Sequence, residues 1–150
     1  MPRWFTLTPD HLKAAGHGSI VDSAQTVATG GVDPVAEAIA NATARVQRAI
    51  GTGNVLDADP TKIPASFKGV AEKLAIYDLM ERIGLPLSES QKQNQRDITS
   101  DLNRTADNKL KVELPDNPAT TPTMQDTGIK AQAINVPRRL TGRGRQSGLG

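Results

Sequence analysis

PASFKGVAEKLAIYDLMERI, residues 64–83, is the stretch from which the fold is read. Its apolar residues Phe67, Val70, Ala71, Leu74, Ala75, Ile76, Tyr77, Leu79, Met80 and Ile83 begin at spacings of three and four, a helical period. By its second half they occupy most of the circumference, as in a helix surrounded by others. Pro64 suits a first helical turn, where its missing N–H costs nothing, and Gly84 followed by Pro86 supplies a stop. A rod of this length, roughly 30 Å at 1.5 Å rise per residue, spans a small domain. The expectation is an all-α body, a small bundle of about four helices around this central helix.

The helices around it are marked by their ends. Thr8-Pro9-Asp10 combines an N-cap, a first-turn proline and an acid that complements the helix dipole, and predicts a short helix stopped by Gly16 and Gly18. Residues 19–32 carry only a weak signal for a turn or short helix before Gly30-Gly31. Asp33-Pro34 repeats the start signal, and Val35, Ile39, Ala42, Val46 and Ile50 form the apolar side of an amphipathic helix closed by Gly51-Thr52-Gly53. Ser88 with Gln91 makes a capping box, after which Gln91–Arg96 are wholly polar and Ile98, Leu102, Ala106 and Leu110 recur every fourth residue. That helix should project at its start and pack at its end. Lys109–Leu114 alternates with period two, a short strand or extended docking segment, and Pro115 ends the folded part.

Residues 1–115 are therefore read as the body and 116–150 as a long, extended, basic C-terminal arm. The body carries 13 Lys and Arg against 14 Asp and Glu, and the arm 5 against 2, with four arginines among the final thirteen residues. From Pro115 onward the chain holds four of its ten prolines and five of its thirteen glycines, with no periodicity and too little apolar surface to repay ordering. Hydrophobic content of 37% and aromatic content of 3% imply a lean core of Ala, Leu, Val and Ile, the kind that neighbouring subunits complete. The absence of cysteine excludes disulfides and thiolate metal sites. No apolar run is long enough to cross a membrane, and MPRWFTLTPD lacks a signal-peptide core, which reads as a soluble, non-secreted chain.

Chemistry-bearing patterns are sparse. His11 and His17 have no third ligand nearby and read as surface or capping residues. His17, Ser19 and Asp22 sit too close together in sequence to converge as a triad. Asp57 and Asp59 lack the further ligands of a calcium loop. Gly142-Arg143-Gly144 has neither the lysine nor the strand–helix context of a phosphate loop. No catalytic residue, metal site or cofactor is assigned, and the chain is not read as an enzyme. Trp4 and Phe5 open two readings, an anchor to the body or an inter-subunit anchor. Arg138, Arg139, Arg143 and Arg145 fit nucleic-acid phosphates or an acidic protein surface.

From Trp4 to Pro115 the order and spacing of segments resemble the head–tail connector (adaptor, or head-completion) proteins of tailed bacteriophages, including the Mu-like group. The likeness lies in the opening aromatic-Leu-Thr-Pro-Asp-x-Leu helix (Trp4–Leu12) and the Ala-rich helix Val35–Ile50. It continues in Ile63-Pro64 before a helix carrying Ile76-Tyr77-Asp78-Leu79, and in Asp101–Leu110 before Lys111-Val-Glu-Leu-Pro115. The long arm and the scarcity of Tyr and Trp depart from that pattern. The resemblance implies a homo-oligomeric ring, a dodecamer, in the virion neck, assembled in the host cytoplasm. Its partners would be the portal protein, a tail-side neck or tail-terminator protein, and DNA passing through the channel without sequence-specific binding; no membrane is involved. The arm would grip the portal, with Ile129, Ile134, Val136 and Leu140 as apolar plugs and the arginines beside portal acids or the DNA path. Two other readings stay open. One is a small nucleic-acid-binding protein that uses its basic Arg/Gly tail, and the other a regulator or chaperone-like adaptor with a recognition tail.

Overall fold

A computed structural model describes residues 2–28 and 30–120. They form an all-α body with one single-turn helix, four longer helices and a two-stranded ribbon. Strand β1 (Trp4–Thr6) leads into α1 (Pro9–Leu12), a wide turn over Lys13–His17, and α2 (Gly18–Val27). Helix α3 (Pro34–Gly51) follows, then β2 (Lys62–Pro64), a tight 3-10 turn (Ala65–Phe67), α4 (Lys68–Arg82) and α5 (Glu89–Ala106).

The caps explain the boundaries. Asp33 accepts from the Val35 N–H at 2.9 Å with Pro34 in the first turn. Ser88 Oγ accepts from the Gln91 N–H at 3.3 Å, and the Gln91 side chain returns by accepting from the Ser88 N–H at 2.8 Å. Each such cap is worth about 1 kcal/mol. At α1 the partner of Thr8 is His11, whose Nδ1 accepts from the Thr8 N–H at 3.1 Å, so the capping reading of this histidine holds.

Two expected boundaries move. Pro64 does not open the long helix. It ends β2 opposite Trp4 in an antiparallel pairing, Trp4↔Pro64, Phe5↔Ile63 and Thr6↔Lys62, and the helix proper starts at Lys68. Pro64 loses nothing there, because the bond that closes the pairing beyond it is donated by the Ala65 N–H to the Arg3 carbonyl, at 2.8 Å, and none is asked of Pro64 itself. Gly18 does not stop a helix but begins α2, and only Gly16, at φ +90°, kinks the path. The weak signal at residues 19–32 thus hides a helix of ten residues.

The core is aliphatic. Leu12, Val21, Val35, Val46, Ile50, Ile63, Ile76 and Leu79 are almost completely buried, and Trp4 is 2% exposed. Helix α4 buries Ala71, Leu74, Ala75, Ile76, Tyr77, Leu79 and Met80 around most of its circumference. It packs along α3 and against α2, and α3 in turn holds α5. The outer start of α5 is solvent-facing while Ile98, Leu102 and Thr105 are buried. Ile98 and Leu102 contribute about 1.5–3 kcal/mol each by leaving water. Among the described residues, no helix is long and apolar enough to cross a membrane.

Candidate assembly interface

Beyond α5 the chain folds back over the body as a strap. Asn108, at φ +57°, ends the helix in the left-handed conformation, and the Lys109 N–H donates to the Arg104 carbonyl at 2.9 Å, the closing bond of such an end. The Asn108 amide lies directly on Gly53, where a Cβ would overlap it; this glycine is needed for close approach.

The strap is then fastened to the N-terminal strand. The Trp4 indole Nε1–H donates to the Glu113 carbonyl at 3.0 Å, and the Arg3 N–H donates to Asp116 Oδ2 at 3.2 Å. Two more bonds stitch it to the loop before β2: the Ala58 N–H to the Asn117 carbonyl and the Ala119 N–H to the Leu56 carbonyl, each 2.8 Å. Pro115 is buried and Val112 half-buried. Residues 116–120, grouped with the arm by composition, are thus bonded to the body. The expected short strand at Lys109–Leu114 does not form: the segment is neither strand nor helix and bends at Leu110.

The predicted partner residues divide sharply. Trp4 is inside the body, pinning β1 beneath the strap. Phe5 is half-buried at the surface, edge-on to the His11 ring at 5.5 Å, with the Lys68 ammonium 6.0 Å from its ring centroid. Ile129, Ile134, Val136, Arg138, Arg139, Leu140, Arg143 and Arg145 lie outside the described residues.

Two recesses that share no residue, the first part polar and the second mainly apolar, mark the surface instead. One, of about 250 Å³, lies at the end of α2 among Val27, Val32, Pro34 and Ile83, and Val27 and Val32 are 59% and 61% exposed. The other, also about 250 Å³, lies where β1, α3 and the loop before β2 meet, and is lined by Leu7, Ile39, Ala40, Thr43, Ala44 and Pro60. Sequence reading passes over the first, although two large apolar residues around Gly30-Gly31 are a visible signal.

Charge frames the first recess. Arg82 Nη1 donates to Glu37 Oε2 at 2.7 Å and its Nε to Asp78 Oδ2 at 3.2 Å, joining α3 to α4. The hydrogen bond from Arg82, with its positive charge, holds the Glu37 carboxyl below the usual carboxylate range. The loop acids have local tasks: Asp57 Oδ1 caps the Asp59 N–H and Asp59 Oδ1 the Thr61 N–H, both at 2.9 Å, and the Thr61 bonds depress the Asp59 carboxyl in turn. Among the described residues no cluster of His, Asp or Glu gathers as a metal site.

Comparison with known proteins gives the lineage. Neither the curated proteins nor the solved structures include a match to this chain. The family model described as Bacteriophage Mu, Gp36 matches residues 8–131, which takes in α1 through α5, the strap and eleven residues beyond it. The chain belongs to the bacteriophage Mu Gp36 family.

Proposed function

We propose that this chain is a structural virion protein, a head-to-tail adaptor that forms a ring between the portal and the tail-side neck or tail-terminator proteins around the DNA channel. The observation that carries the reading is a pair of unlike surfaces, the exposed Val27 and Val32 at the end of α2 and the separate apolar recess among Leu7, Ile39 and Ala40. Surfaces that are complementary but not identical join head-to-tail, and such contacts close into rings when the rotation permits. Membership of a bacteriophage family supplies the setting. The strap is bonded to the body as far as Ala119, whose N–H donates to the Leu56 carbonyl, so an arm that grips the portal would be anchored at its base. Repeated around a ring, weak arm contacts act together, since each later engagement is effectively intramolecular.

Native mass measurement of the full chain, alone and with portal, tests this. A closed oligomer is expected in at least the second case. Val27→Asp with Val32→Asp should block it by placing charge in the first recess, while helicity is retained because both residues are exposed. A chain ending at Thr120 should keep its helicity and lose stable attachment to portal. A species that stays monomeric with portal present overturns the proposal.

A further inference from the structure

One surface of the folded body is basic, contrary to the bland balance of its overall charge. Arg45 and Arg48 on α3 face Lys92 and Arg96 on α5 across a groove made of adjoining recesses. Arg45, Lys92, Arg96 and Thr99 line one of about 410 Å³, and Arg45, Arg48, Thr99 and Asn103 line the next, of about 320 Å³. A third, of about 330 Å³, continues along α3 to Asp78, which is engaged by Arg82. The first two hold no acidic side chain. Lys92 is paired with Glu89 at 2.8 Å, but among the described residues no carboxylate lies within salt-bridge distance of Arg45, Arg48 or Arg96. All four cations are exposed.

The spacings set the ligand. Residues three and four apart on a helix stand about 5–6 Å from one another, so the groove presents paired positive charges on two rails. Thr99 and Asn103 add neutral hydrogen-bonding groups, and cations beside Thr and Asn side chains are the usual partners of nucleic-acid phosphates. Protein–protein interfaces use Arg as well, but set it among aromatic residues, and this groove has no aromatic residue. The chain's own arm does not complement it, since residues 116–150 carry 5 basic against 2 acidic groups. We infer that the α3–α5 groove binds the phosphodiester backbone of duplex DNA without reading its sequence. This goes beyond the adaptor reading and does not require a ring.

The test is fluorescence anisotropy of the full-length chain with a labelled duplex of about 30 base pairs, titrated with NaCl. The combined variant Arg45→Gln, Arg48→Gln, Arg96→Gln should lower the slope of log affinity against log salt by about 2.7, at about 0.9 for each phosphate no longer neutralised. Lys62→Gln, Lys73→Gln, Lys111→Gln removes the same charge elsewhere and should lower it by less than about 1. Arg138→Gln, Arg139→Gln, Arg143→Gln, Arg145→Gln measures the arm separately, and its effect should add to that of the groove. Circular dichroism checks folding; should the triple variant unfold, Arg96→Gln alone should lower the slope by about 0.9. An unchanged slope in the groove variants overturns the inference. So does absence of duplex binding at low salt, or a groove variant that binds DNA normally but loses self-association, which would mark an acidic protein face as the occupant.

Discussion

The helical body and the strap over it are held by different forces. The body rests on apolar burial spread over many aliphatic side chains from every helix. The strap, Lys109–Thr120, rests on a few directed bonds: Trp4 to Glu113, Arg3 to Asp116, Ala58 to Asn117 and Ala119 to Leu56, with Pro115 as its one well-buried residue. Burial is non-directional and collective, so the body should open only as a whole. A short row of hydrogen bonds, each worth about 1 kcal/mol net, can open locally. What the contrast teaches is that the base of the arm can be released while the helices stay folded.

The largest break should come at the seam, where Trp4 belongs to both regions. Trp4→Ala is expected to cost about 3–5 kcal/mol, measured by urea unfolding, with strap protection in hydrogen exchange lost even where the helices persist. Leu79→Ala strikes the body alone and should cost about 2–5 kcal/mol, lowering the signals of all the helices together in one transition. Separate transitions among the helices in that variant would undo the picture of a single cooperative body. Gly53→Ala drives a methyl group into the Asn108 amide and should cost about 1–3 kcal/mol, the typical cost of overpacking, with faster exchange confined to the strap and the end of α5. The smallest effect is electrostatic. Because its partner Arg82 depresses the Glu37 carboxyl, the stabilisation is present above its ordinary value of 4.5 and lost as pH falls through the lowered folded value. Glu37→Gln should therefore flatten the acid side of the melting-temperature profile, less so in high salt, since the pair is exposed.

How much of this is legible in the sequence follows from how local each signal is. The Asp33-Pro34 start, the Ser88–Gln91 box and the stop at Gly84 are settled within a few residues, and they appear where the sequence puts them. Pro64 is misread because its role depends on Trp4, sixty residues away, and strands of three residues are too short to show an alternating pattern. The strap beyond Pro115 escapes composition because backbone groups, which every residue carries, fasten it. The basic groove is invisible for a similar reason: Arg45 and Arg48 are separated from Lys92 and Arg96 by more than forty residues, and only the packing of α3 on α5 adds their charges together.

The indole bond of Trp4 also has a consequence in time. Its acceptor lies 109 residues downstream, so the first strand cannot be locked until nearly the whole body has been synthesised. At ribosomal rates of about 5–20 residues per second, that is a wait on the order of 5–20 s. During that interval the lone tryptophan stays unclasped, and its emission on a stalled nascent chain would time the moment of closure.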